Sequence, residues 1–270
     1  MNVMLNLRAV KGRAYPRVIG ALREPSWAFW DTFLPILSMA AYVYVYKSLN
    51  APKEFEGFVI LGGVMTTYWL NVLWGMASQL YWEKETANLQ LYLAAPMSKM
   101  SILAGMALGG MFATTVRGVS IILVGVFVFQ VDFVITNFWL LIAIFGITLV
   151  ALYGMGMLFA SLFLIWGREA WHINMLLEEP VYFLSGYSFP VKALGLSLSV
   201  AASFIPFTLG LDAMRQLTFP SMAEWGLLSP YLELAILVIM GTFLVLLARY
   251  ALHYMENLGK ERGTLTMRWQ

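Results

Sequence analysis

Glu83-Lys84-Glu85-Thr86-Ala87-Asn88-Leu89-Gln90-Leu91-Tyr92-Leu93-Ala94-Ala95-Pro96-Met97-Ser98 is a polar island between two long apolar stretches of a 270-residue chain. It separates runs that would otherwise merge into one hydrophobic block. Leu89, Tyr92 and Leu93 recur at helical spacing, Glu83, Lys84, Glu85, Asn88 and Gln90 are polar, and Pro96 stops the run. The segment reads as a short amphipathic helix over 83–98, able to lie on a membrane surface or to enter a partner's groove.

Outward from the island the chain reads as bilayer. It is 60% hydrophobic and only 12% charged, against roughly 25% charged residues in an average soluble domain. Each helical crossing of the hydrocarbon core needs about 20 apolar residues. The reading is an all-α integral membrane protein with six transmembrane helices, at about 27–46, 57–80, 101–129, 137–165, 170–189 and 228–251, which leaves no room for a separate soluble domain. The absence of cysteine excludes disulfides, thiol chemistry and Cys-ligated metal.

Charge placement orients these spans. Arg8, Lys11, Arg13, Arg17 and Arg23 precede the first span, and Arg249, Lys260, Arg262 and Arg268 end the chain, whereas the opposite loops hold Lys47, Lys53, Lys192 and Arg215. By the positive-inside rule both termini, and with them the island, are expected in the cytoplasm. The first 26 residues place Leu7, Val10, Ala14, Val18, Ala21 and Leu22 roughly on one face. They read as an amphipathic interfacial helix on anionic membrane lipid, kinked at Pro16, too long and polar for a cleavable signal peptide. Trp27 and Trp30 then mark the headgroup level.

Within the spans, Gly105, Gly109 and Ala113, and Gly156 with Ala160, have the spacing that lets helices approach closely. Pro35 and the Gly62-Gly63 pair are expected to allow local bending. Arg117 falls midway along the third span and Glu178 with Glu179 midway along the fifth. A charge at the bilayer centre costs at least about 2.5–3.5 kcal/mol, so an intramembrane salt bridge between Arg117 and one of these glutamates is expected, either as a structural lock or as a substrate contact. Asp31 and Glu233 sit nearer span ends, where hydration suffices. Gly195, Pro206 and Gly210 interrupt an apolar stretch, predicting short re-entrant helices over 193–211 between the fifth and sixth spans.

Catalytic signatures are missing. The chain has no Walker-type glycine loop, no HExxH metal site and no GxSxG elbow, and His172 and His253 both fall near span ends. No catalytic residue, bound metal, bound cofactor or nucleic-acid partner is expected.

The island resembles the loop between the second and third spans of the type-2 ABC export permeases, the membrane subunits of ATP-binding-cassette exporters. Glu83-Lys84-Glu85, Ala87-Asn88-Leu89-Gln90, Leu91-Tyr92-Leu93 and Pro96-Met97-Ser98 follow that family's pattern in order, with Ala87, Asn88 and Gln90 standing where glycine, threonine and glutamate are usual. Leu184-Ser185-Gly186-Tyr187-Ser188-Phe189-Pro190, then Ile205-Pro206-Phe207 followed by Arg215, resemble two further elements near the outer end. Leu209 and the stretch at Leu194-Gly195 depart from it.

The resemblance covers nearly the whole chain and implies one half of a permease dimer in a prokaryotic cell membrane, over two cytoplasmic ABC ATPase subunits that bind the ATP and Mg. It implies coupling to the ATPase by Glu83, Lys84, Glu85, Leu89, Tyr92 and Leu93, and a path near Tyr68, Asn71, Trp74, Glu178, Tyr182 and Phe183. Methionine-rich and aromatic spans suit an amphipathic, lipid-like or drug-like cargo. Export of a polysaccharide or lipid-linked glycan, an ion-coupled secondary transporter and a membrane scaffold remain as alternatives.

Overall fold

The computed structural model describes residues 3–166 and 169–261, and every long element within them is a helix. The side chains at 27, 28, 93 and 164–171, hence those of Trp27 and Leu93, and the tail with Arg262 and Arg268, lie outside the described residues. Helix α1 (Val3–Arg23) passes through Glu24 into α2 (Pro25–Ser48), whose Pro25 occupies the first helical turn, where a missing N–H costs nothing. Helix α3 (Lys53–Leu70) continues through a π-helical segment, Asn71–Ala77, into α4 (Gln79–Glu85). After Thr86 and Ala87 comes α5 (Asn88–Ala94), then α6 (Lys99–Phe127), α7 (Phe138–Trp166) and α8 (Glu169–Leu184). A 3₁₀ turn at Val191–Leu194 leads to α9 (Leu196–Ala202) and α10 (Pro206–Thr218), and α11 (Pro230–Glu261) closes the bundle.

Among the described residues, four stretches are long and apolar enough to cross a membrane: Lys53–Glu85, Lys99–Phe127, Phe138–Phe163 and Pro230–Glu261. The pair α9–α10, bent by 109°, makes up to a fifth. The chain is thus a multi-pass membrane protein. Two of the six expected spans do not meet the same standard. The α8 helix has only 16 residues and includes Glu178, Glu179 and Pro180; α2 has 24 but carries Asp31, Lys47 and a set of Trp and Tyr rings suited to an interface.

The stretch Lys53–Glu85 is the central mast. Of its most apolar window, 78% is buried inside the protein, against 22% for Pro230–Glu261 on the periphery. Glycines let neighbours close on it. A Cβ on Gly62 would lie 1.7 Å from the Tyr187 carbonyl, so this glycine serves the close approach of the loop after α8 rather than the bend expected there. The helical irregularity falls lower, in the π-helical segment, against Gly110 of α6 and Gly156 of α7.

The N-terminal helix corrects the sequence reading most. Instead of resting on lipid alone, α1 packs lengthwise and parallel along the first half of α6. Asn6 Oδ1 accepts from the Ser98 N–H at 2.9 Å. Cβ atoms on Gly105 and Gly109 would lie 2.6 Å from the Val10 carbonyl and 3.0 Å from that of Ala14. The small-residue stripe of α6 is therefore a seat for α1. At about 1.5 Å per residue, the rise from Asn6 to Arg23 lifts the start of α2 by roughly 25 Å relative to the start of α6.

At the opposite end, Arg215 of α10 is 1% exposed. Its guanidinium donates to the carbonyls of Phe58, Gly186 and Tyr187 at 2.7 Å each and of Phe189 at 3.1 Å, and stacks 4.8 Å from the Phe58 ring centroid. One side chain binds the bent helical pair, the loop after α8 and the top of α3. Where short re-entrant helices were expected over 193–211, a bent helical pair spans Leu196–Thr218. Gly210 does not break it: the glycine lies inside α10 and admits Thr148 of α7, whose Oγ1 would be 2.2 Å from a Cβ there.

Candidate functional site

The polar island forms a corner, not one helix. Helix α4 ends at Glu85, Ala87 turns the chain with φ +63°, and α5 runs to Ala94 before Pro96. The left-handed conformation costs an alanine roughly 1–2 kcal/mol, which glycine escapes. Ala87→Gly is expected to recover that strain against about 0.4–1 kcal/mol of added unfolded-chain entropy, a net gain of up to about 1 kcal/mol. Thermal unfolding in detergent checks it, with an expected rise of up to about 4 °C; a fall would show that the turn is not strained.

The inner face of the corner is fastened to the bundle. Glu83 is 4% exposed and pairs with Arg13 of α1. Gln79 Nε2 donates to the same Oε1 at 3.1 Å, and the Tyr92 hydroxyl donates to Oε2 at 3.4 Å. Arg13 also lies 5.5 Å from the Tyr92 ring centroid. Burial, more than the opposed charges of Arg13 and Glu83, pushes the Tyr92 phenol above its ordinary value. Leu89 is buried among Leu80, Ile102, Leu103 and Leu252. Beside it Lys99 and Lys260 both donate to Glu256 at 2.5 Å, tying the start of α6 to the end of α11.

The outer face carries Trp82, Asn88, Gln90 and Leu91, with Leu91 69% exposed. Of the residues expected to couple to a partner, Glu83 and Leu89 thus turn inward, Tyr92 is half-buried, and Lys84 and Glu85 are partly exposed. The helical period identified an apolar stripe correctly, but the protein's own core occupies it. Leu91 was overlooked because it lies off that stripe.

Above the corner, the π-helical segment is gripped from several sides. A π turn withdraws carbonyls from the regular ladder, leaving them for other donors. Arg17 of α1 donates to the Gly75 carbonyl at 2.5 Å and to that of Met106 at 3.1 Å. Asn174 of α8 donates to the Leu73 carbonyl at 3.0 Å, the Tyr153 hydroxyl to Asn71 Oδ1 at 2.9 Å, and the Trp74 indole N–H to Glu178 at 2.8 Å. Arg13 and Arg17, one helical turn apart, thus join the corner and the π segment to the same helix.

A cavity of about 770 Å³ opens beside this segment, between α2, α3, α6 and the α8 end. Of the residues that the resemblance sets near a path, Asn71, Trp74 and Tyr182 line this cavity, and Glu178 accepts from the Trp74 indole. Tyr68 does not: it is 1% exposed in the core and shares a 2.8 Å hydrogen bond with Thr115. Phe183 is 58% exposed on the outside of α8.

The expected bridge from Arg117 to Glu178 or Glu179 is not formed. Arg117 pairs with Asp31 at the cavity wall, Glu178 holds Trp74, and Glu179 is exposed. The reason is the lift that α1 gives to α2, which brings Asp31 to the level of Arg117. Sequence position alone put Asp31 near a membrane surface. Arg17 and Asp31, both lining the cavity, were not singled out as site residues for the same reason.

An all-helical membrane bundle with a polar-walled cavity, joined by one helix to a corner at its basic end, has the parts of a membrane transport component. The family model for the ABC-2 type transporter matches residues 17–219, and the chain belongs to that family. A comparison with curated proteins found no match.

Proposed function

We propose that this chain is the membrane-spanning subunit of an ATP-binding-cassette exporter that moves an amphipathic, lipid-like cargo. In this reading α2 and α8 complete six crossings, both ends lie in the cytoplasm, and two copies stand over two ATPase subunits that bind ATP and Mg. The observation that carries it is the corner at α4–α5. Its inner face is locked to α1, α6 and α11, while Leu91, Trp82, Asn88 and Gln90 face outward on a surface a partner can push. Arg13 and Arg17 supply a physical route for that push to the cavity, because a rigid α1 cannot follow the corner without moving the π segment.

The test is co-purification of the chain with its ABC ATPase, followed by reconstitution in proteoliposomes. ATP-dependent transport of a lipid-like amphiphile that requires both subunits is the expected result. Transport by this chain alone under an ion gradient, with no ATPase bound, overturns it.

A further inference from the structure

We propose that the cavity beside the π-helical segment binds an amphiphile with an anionic head group, held by Arg17 and Arg117, its chain lying along Leu34, Pro35 and Met39. The inference deepens the transport reading and rests on it for the role of the amphiphile as cargo. It starts from the charges on the cavity wall, where two guanidiniums face one carboxylate. Asp31 answers Arg117. Arg17 instead spends its donors on the Gly75 and Met106 carbonyls, which carry no formal charge, and no carboxylate lies within ion-pair distance of it among the described residues. A guanidinium stays charged under all ordinary conditions, and with the Glu178 carboxylate turned to Trp74, Arg17 offers an entering anion a cation that no carboxylate pairs.

A second observation concerns Thr66. Thr114, Thr115 and Thr148 each turn the hydroxyl back on the carbonyl one turn earlier, at 2.7–2.9 Å, the usual way a helical threonine satisfies itself inside a membrane protein. Thr66 lines the cavity, is 8% exposed, and its Oγ1 has no partner among the described residues. A buried unpaired hydroxyl is costly. That oxygen has no surface open to the cavity, so a head-group oxygen meets it only where the neighbouring side chains give way, while a phosphate or carboxylate offers acceptors to both guanidiniums directly. Leu34, Pro35 and Met39 give the same cavity an apolar wall for an alkyl chain, and its volume falls in the range of small-molecule sites.

The test is binding to the full chain in phosphatidylcholine nanodiscs, followed by tryptophan fluorescence, since Trp74 lines the cavity. Dodecyl phosphate is expected to bind, and dodecyltrimethylammonium and inorganic phosphate to bind at least roughly tenfold more weakly. Arg117→Gln with Asp31→Asn, which removes the pair together, is expected to weaken dodecyl phosphate by roughly tenfold or more, the scale of a hydrogen bond to a charged group. Asp31→Asn alone keeps the arginine, removes its competitor, and is expected to tighten binding severalfold, so the proposal does not depend on a loss that misfolding could mimic. Equal affinity for the phosphate and ammonium amphiphiles, or an Asp31→Asn variant that binds dodecyl phosphate no better, overturns the site. Selective binding that leaves ATP hydrolysis and transport by the reconstituted complex unchanged instead overturns the cargo role, while the site stands.

Discussion

Arg215→Met is expected to destabilise the far end of the bundle by on the order of 3–6 kcal/mol, a large share of a typical protein's total stability. Methionine fills much of the same space but donates nothing. The carbonyls of Phe58, Gly186, Tyr187 and Phe189 would lose the guanidinium donor, Gly186 alone among the loop carbonyls keeping the Phe189 N–H at 3.3 Å, in a place where Arg215 itself is 1% exposed and water cannot replace it. Each unpaired buried carbonyl costs about 1–3 kcal/mol. Arg215→Lys should recover part of the loss, because an ammonium lacks the planar fork that reaches several carbonyls at once. Thermal unfolding in detergent and hydrogen exchange at Phe58 and the 186–189 loop would measure both variants. Unchanged protection there would show that the loop is held by other contacts.

The second large effect separates two leucines two residues apart. Leu91→Asp is expected to weaken ATPase binding by a hundredfold or so, the scale of an interface hot spot of about 2–4 kcal/mol, with the chain still inserted and folded. Leu89→Asp is expected to act on the fold, because it sets a carboxylate against Leu80, Ile102, Leu103 and Leu252 at a cost of about 3 kcal/mol or more. Pull-down with the ATPase and unfolding in detergent distinguish them. If Leu89→Asp detaches the ATPase from a stable chain while Leu91→Asp leaves it bound, the outward face has been assigned to the wrong residues.

These two leucines also show where sequence reasoning reached its limit. Hydropathy and charge located the island, the long apolar spans and the bent element at the far end, because transfer into lipid acts on composition and needs no partner. Periodicity showed that Leu89 belongs to an apolar stripe but could not say whose surface covers it. The π-helical segment has no signature in Asn71-Val72-Leu73-Trp74-Gly75-Met76-Ala77, which reads as ordinary helix; it exists because Arg17, Asn174 and neighbouring helices meet its carbonyls. The break at Ala87 is hidden for the opposite reason, since alanine is the best helix former and sits here against its preference. The partner of Arg117 depended on how high α2 begins, and that height is set by α1, which the sequence alone presented as a surface helix.

The seat of α1 on α6 also carries a schedule. Arg13 meets Glu83 across 70 residues of chain, and Arg17 meets Met106 across 89. At a synthesis rate of about 5–20 residues per second, α1 waits roughly 4–18 s after leaving the ribosome for its groove to be made. During that wait two arginines destined for the interior have only water and lipid head groups as company. Helix α1 therefore docks only after chain that follows it in sequence: its seat on α6 exists once the residues through Met106 have been made.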